Sequence, residues 1–128
     1  MATFTDAQTD AINAQGGSVL VSAAAGSGKT TVLIERIIRM ITRRENPIDV
    51  DRLLIVTFTR AAASEMKERL AKAINSLLEN DPYNSLLLRQ RQLMYNTSIC
   101  TIDSFCGSVV REYFHILGVQ KDFRLADE

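Results

Sequence analysis

Residues 19–31, "VLVSAAAGSGKTT", gather the residue types that can hold an anion. Gly26 and Gly28 let the backbone curl so that successive N–H groups point inward at one negative charge. A helix beginning there adds the positive end of its dipole. Lys29 supplies a mobile charge for the outer phosphates of a nucleotide, and the Thr30 hydroxyl can ligate magnesium. The general pattern GxxxxGK[ST] asks for glycine where this chain has Ala23, so the loop reads AxxxxGKT. Alanine fits there if the residue keeps a negative φ. The alternative is a Gly-rich strand-to-helix turn with an exposed lysine. A strand before, a helix after, and both Lys29 and Thr30 in place favour the phosphate cradle.

Other positions carry chemistry of a second kind. Gln8, in "FTDAQTDAI", offers a donor and an acceptor that match the N6–H and N7 edge of adenine. From side-chain chemistry alone, a solvated residue on a short N-terminal helix is the favoured reading. In "LLIVTFTRAAASEMKERL", Thr57 and Thr59 bring hydroxyls suited to a phosphodiester backbone. Phe58 between them either stacks on a base or belongs to the core. "TIDSFC" again puts hydroxyls, Thr101 and Ser104, at a strand-to-helix junction, with Asp103 as the expected N-cap. A carboxylate in a DNA-contacting loop would repel phosphate. Arg36, Arg39 and Arg43 share one helix face and read as a solvated or interdomain surface, with a nucleic-acid role as the alternative; Arg60 reads as a solvated helix-start residue, with a phosphate contact as the alternative.

These residues need a scaffold, and the hydrophobic pattern supplies one. "SVLV" from Ser18 predicts a strand before the loop. Leu33, Ile34, Ile37, Ile38 and Ile41 recur at helical spacing and mark one buried stripe. Pro47 ends helical tendency in "RRENPIDVD", and "RLLIVTF" reads as a strand covered on both faces. Ala62, Met66, Leu70, Ile74 and Leu77 trace a second helical stripe with Thr59 as its cap. After the break "ENDPYN", Asp81 as cap and Pro82 in the first turn predict a helix to about Tyr95, its apolar face interrupted by Gln90. "SICTI" is a third strand, followed by a helix through Phe114 that stops at Gly118. Strands alternating with helices imply right-handed crossovers and a parallel sheet, an α/β fold. Ligands collect beyond the carboxyl ends of such strands, so the loops "SAAAGSGKTT", "TFTRAA" and "TIDSFC" are expected to open on one edge.

With 128 residues the chain fits one domain that buries about two-thirds of its unfolded surface. Its 15 basic and 15 acidic residues cancel, which removes any overall attraction for nucleic acid or anionic membrane but leaves room for a groove or stacking site. The apolar runs are too short to span a bilayer, and the N-terminus lacks a signal-peptide pattern. Two cysteines, Cys100 and Cys106, are too few for a disulfide framework or a zinc site, and a reduced cytoplasmic setting is expected.

"FTDAQTDAI", "AAAGSGKTT", "TFTRAAASEMKERL" and "TIDSFC" resemble, in order and spacing, the Q motif and motifs I, Ia and Ib of the UvrD/Rep-like superfamily-one DNA helicases. The resemblance covers nearly the whole chain, and four motifs in register make it specific. Alanine is common in that family at the position of Ala23, and Ala24 is glycine in many relatives. "TIDSFC", with Asp103 where most relatives have histidine, and the ending "DFRLADE" are most similar to the helicase–nuclease subunits of bacterial recombination complexes.

The resemblance implies a RecA-like P-loop sheet with flanking helices, residues 1–128 being the N-terminal part of an ATP-binding motor domain. It implies ATP and magnesium as cofactors, with Gln8 at the adenine. Ala25, Gly26, Ser27, Gly28, Lys29, Thr30 and Thr31 would surround the phosphates. Lys29 and Thr30 would be the catalytic pair, Thr30 on the metal. Thr57, Phe58, Thr59, Thr101 and Ser104 would meet single-stranded DNA. It further implies an ATP-dependent helicase/exonuclease that unwinds DNA in double-strand break repair and recombination, with no membrane attachment and with a partner subunit.

"RLADE" ends in Asp127 and Glu128, which invites comparison with an acidic Walker B strand. That pair should end a strongly apolar strand, and "KDFRLADE" is not one. On this reading the acidic motif, the second motor domain and the nuclease lie outside these residues. The isolated piece is then expected to bind nucleotide weakly, hydrolyse almost none, and self-associate through apolar surface left uncovered. Two rivals remain: a small P-loop phosphotransferase, which should carry a lid, and a non-catalytic interaction module, in which Lys29 would be dispensable.

Overall fold

The computed structural model of the chain describes residues 3–24 and 26–120. Ala25, Asp127 and Glu128, each a residue of interest in the sequence, lie outside the described residues. Helix α1 (Asp6–Asn13) precedes the Gly-rich loop, and α2 (Lys29–Ile41) follows it. A 3₁₀ turn (Val50–Arg52) then leads into β1 (Leu54–Thr57), α3 (Arg60–Asn80) and α4 (Ser85–Leu93). Beyond a second 3₁₀ turn (Met94–Asn96) come β2 (Ser98–Thr101), α5 (Ile102–Glu112) and α6 (Phe114–Leu117). β1 and β2 pair in parallel, Ile55 opposite Ile99 and Thr57 opposite Thr101. The fold is therefore α/β with a parallel sheet, of two strands among the described residues.

The core forms where the helical stripes meet the sheet. Ile37, Ile38 and Ile41 of α2 pack with Met66, Leu70, Ile74 and Leu78 of α3, with Ile55 of β1 and with Val50. The stripes are rotated slightly from the expected ones. In α2, Val32 is buried and Leu33 exposed; in α3, Ala63 and Leu78 are buried rather than Ala62 and Leu77. Where two neighbours are both apolar, the angle at which partner helices approach selects between them.

Four local expectations are corrected. The first is the "SVLV" strand: residues 18–21 run unpaired, and Leu20 is 94% exposed. A strand is stabilised by its ladder partners, and among the described residues none lies beside it. The second is β1, which buries Ile55 but leaves Leu54 and Val56 exposed, so its two faces are not equally covered. The third is Asp81, which ends α3 instead of starting α4. Asn84 is the cap, its Oδ1 accepting from Leu87 N at 3.1 Å, and Pro82 sits in the turn before it. The fourth is Asp103, which lies in the first turn of α5, while Thr101 caps that helix by accepting from Ser104 N at 3.1 Å. Thr59 caps α3 as expected, and Gly118, at φ 65°, closes α6 in the left-handed region.

Gln90, which interrupted an apolar stripe, is 0% exposed. Its Oε1 accepts from Val50 N at 2.9 Å, and its Nε2 donates to Ile48 O at 3.4 Å. The amide thus satisfies backbone groups of the loop entering β1, which a leucine would leave orphaned. Beside it, Arg89 makes a two-pronged pair with Asp49, Nε to Oδ1 at 2.9 Å and Nη2 to Oδ2 at 2.7 Å. That guanidinium, chiefly through its hydrogen bond, holds the Asp49 carboxyl below the usual carboxylate range.

Candidate nucleotide and nucleic-acid sites

Helices α1, α3, α4 and α5 each have an N-cap side chain accepting from a first-turn amide; α2 has none. Its cap is Gly28, at φ 80° in the left-handed region, with Gly26 at φ 78° two residues earlier. Nothing lies within 4 Å of where a Cβ on Gly26 would sit, so backbone conformation rather than space calls for glycine there. The first-turn amides of α2 are therefore available to an anion at the positive end of the helix dipole. No acidic residue occupies that turn to compete.

The Lys29 ammonium folds back over the loop, donating to Ala23 O at 2.5 Å and Ala24 O at 2.7 Å. The Ser27 hydroxyl is buried and has no hydrogen-bond partner. Such a group costs stability unless something satisfies it, and a phosphate oxygen is chemically suited to do so. Thr30 and Thr31 follow in the first turn of α2, both exposed. The residues present thus fit a triphosphate with its magnesium. No cluster of three or more metal-ligating His, Cys, Asp or Glu side chains occurs among the described residues.

Gln8 belongs to this site by geometry. Thr5 caps α1 by accepting from Gln8 N at 3.3 Å, while Gln8 Oε1 accepts from Thr5 N at 2.9 Å. The spacing T-x-x-Q is a capping box, a local signal that gives Gln8 a second, structural duty. Gln8 Nε2 also donates to Ser27 O at 3.1 Å, tying α1 to the Gly-rich loop. The two bonds fix which way the amide points, because reversal would set oxygen against oxygen. Each amide atom keeps one unused valence, an N–H and a lone pair. That pattern suits the adenine edge and opposes guanine, which presents two acceptors there.

α1 is fastened at its other end by Arg36 and Arg39, residues expected to form a solvated or interdomain surface. Arg36 Nη1 donates to Ala11 O at 2.7 Å and Ile12 O at 3.3 Å. Arg39 Nη1 donates to Asn13 Oδ1 at 2.6 Å, and its Nε to Glu35 Oε1 at 3.0 Å. No sequence pattern announces the contacts to α1, because they join residues on separate helices. Between α1, residues 19–23 and the start of α2 lies a cleft of about 430 Å³, lined by Gln8, Ser27 and Lys29 among others.

The second and third loops come together at the carboxyl ends of β1 and β2; the first has no strand in that sheet. Phe58 is 89% exposed, which resolves its two readings in favour of a ring in solvent. It borders a hollow with Arg60, Asp103, Ser104 and Arg111. The hydroxyls around it are largely employed in the fold. Thr57 Oγ1 donates to Thr59 O at 3.0 Å, and Thr59 Oγ1 accepts from Ala62 N at 3.1 Å. Thr101 is buried, its Oγ1 donating to Ser104 Oγ at 2.8 Å. Phe58 and Ser104 are thus the exposed members of the expected DNA set, together with the backbone-facing Thr59.

The sequence profile of the UvrD/REP helicase N-terminal domain matches residues 4–128. The chain belongs to this family. Among its relatives, an ATP-dependent helicase/nuclease subunit of Anoxybacillus flavithermus is 54% identical over 125 residues, covering 98% of this chain and 10% of the relative. The ATP-dependent helicase/nuclease subunits so named in Clostridium perfringens and Acetivibrio thermocellus are 52% and 54% identical over the same share. This UvrD/REP chain therefore spans about a tenth of the length of the curated relatives it matches. None of its described helices is long and apolar enough to cross a membrane.

Proposed function

We propose that residues 1–128 are the ATP-binding N-terminal part of the first motor domain, of RecA-like P-loop fold, in a helicase/nuclease subunit of the AddA type. The whole protein would unwind DNA in double-strand break repair and recombination beside a partner subunit of the AddB type. One observation carries the reading: an α2 N-terminus without a side-chain cap, framed by left-handed Gly26 and Gly28, with Lys29 and an unpartnered Ser27 hydroxyl beside it.

Magnesium–ATP supplies the anhydride bond whose cleavage drives translocation. Gly26, Ser27, Gly28 and Lys29 hold its phosphates, Thr30 offers a hydroxyl to the metal, and Gln8 presents its amide to the base. Phe58 stacks on a base of single-stranded DNA, with Thr59 and Ser104 at the adjoining phosphates. Thr57 and Thr101 act one step removed, by shaping the two loops. The isolated piece binds nucleotide weakly, and its exposed Leu54 and Val56 favour self-association.

Calorimetric titration with magnesium and non-hydrolysable ATP and GTP analogues tests this reading. Saturable binding that prefers adenine, weakened by Gln8→Ala and abolished by Lys29→Ala, is expected. Equal binding of both bases would keep the cradle and remove Gln8 as base reader. Binding indifferent to Lys29→Ala would overturn the cradle itself.

A further inference from the structure

α1 has eight residues, about 12 Å of helix, and so short a helix does not hold together or hold its place unaided. Its buried anchor is the single residue Ile12. Directional bonds hold it besides: Gln8 to the Ser27 carbonyl at one end, Arg36 and Arg39 at the other. Arg36 is placed to matter most. One nitrogen of its guanidinium serves two carbonyls of the last turn of α1, Ala11 and Ile12, where the helix dipole is negative and the carbonyls lack helical partners. Arg36 stands on α2, the helix that begins with Lys29 and Thr30. Ala11 lies three residues beyond Gln8, so the clasp grips α1 one turn from the amide.

We infer that Arg36 is a positioning residue for base recognition, holding α1 against α2 so that Gln8 meets the nucleotide base at a fixed place relative to the phosphate cradle. This rests on the reading of Gln8 as base reader. The cradle's own geometry comes from the glycines and from the start of α2. Arg36 therefore affects which base is accepted and leaves phosphate binding intact. A guanidinium suits the task because it spreads several donors over a plane, whereas an ammonium is a point charge.

The test uses the intact protein, titrated with magnesium plus ATP analogue, GTP analogue or inorganic tripolyphosphate. Arg36→Met, which keeps the stem and removes the donors, is expected to lower the ATP-over-GTP preference about fivefold or more, with tripolyphosphate affinity unchanged. Arg36→Lys is expected to restore part of the preference. In a Gln8→Ala background, Arg36→Met is expected to cause no further loss, since both changes act through the same amide. Should Arg36→Met fail to fold, Arg36→Gln, too short to reach both carbonyls, carries the same comparisons. Unchanged preference in the arginine variants, while Gln8→Ala abolishes it, overturns the inference and leaves the base-reader reading standing. Equal loss of tripolyphosphate and ATP binding overturns it in favour of a general structural role. If Gln8→Ala itself leaves the preference intact, the base-reader reading fails and the inference falls with it.

Discussion

Two regions of this chain are held together in different ways. Around α3, the packing of Ile41, Val50, Leu70 and Ile74 excludes water almost completely, and the one amide inside, Gln90, is satisfied by the backbone it touches. Around the Gly-rich loop, Ile12 and Val32 are buried but stand outside that cluster. Val19, Leu20 and Val21 are exposed, and hydrogen bonds tie α1 to the Gly-rich loop through Gln8 and to α2 through Arg36 and Arg39. Burial is non-directional and scales with area, so it makes a stable platform. Directional bonds fix angles at modest net gain, so they suit a site whose atoms must be placed but whose elements can open locally. Apolar packing and directional bonding therefore dominate different regions of one short chain.

The contrast can be broken from the core side first. Leu70→Ala removes a fully buried side chain from the centre of the cluster and is expected to lower stability by about 2–5 kcal/mol, read from urea unfolding. A loss below about 1 kcal/mol would mean that the core is not the platform described. Next in size is Gln90→Leu, which leaves the Val50 amide without its acceptor and is expected to cost about 1–3 kcal/mol, despite being a polar-to-apolar change inside a core.

Ile12→Ala sharpens the comparison from the other side. Amide exchange in residues 6–13 should accelerate markedly while the global unfolding free energy moves by less than about 1 kcal/mol, because α1 opens without the cluster. Loss of protection throughout α3 would show one cooperative unit instead. The smallest effect is expected at Asp49. Its carboxyl is held below the ordinary value of 3.8 by Arg89, so the pair's contribution is complete above that value and is lost as acid carries the pH down through the folded-state value. The difference in melting temperature between wild type and Asp49→Asn should therefore shrink between pH 6 and pH 3. A constant difference would assign the pair no pH-linked role; both side chains are partly exposed, so the effect stays small.

Much of the candidate site's geometry was legible because its signals are local. Gly26 and Gly28 are called for by backbone conformation alone, Lys29 and Thr30 follow that turn directly, and the cap at Thr59 is signalled by a hydroxyl three residues before an apolar stripe that begins at Ala62. Where two local signals competed, the sequence was ambiguous. Thr101 and Asp103 can both cap a helix, as can Asp81 and Asn84, and the choice fell to where the preceding strand or helix ended. The T-x-x-Q capping box at Thr5 and Gln8 is equally local, and it shares its amide with the adenine-matching chemistry, so one residue carries two signals.

By itself, then, the order of residues determined where the main helices form, the glycine-framed turn before α2 and the membership in a helicase family. Each depends on contacts within a few positions of the chain or on spacing along it. Tertiary structure alone decided that Gln90 would be buried and satisfied, that Phe58 would face solvent, that Thr101 would not, and that Arg36 would grip the end of α1. The contacts of Arg36 and Gln90 reach partners 24 to 42 residues away, whose approach is set by packing between elements and leaves no periodic trace in the sequence. For the same reason, residues 18–21 could be read as a strand from composition, while the absence of a ladder partner among the described residues could not.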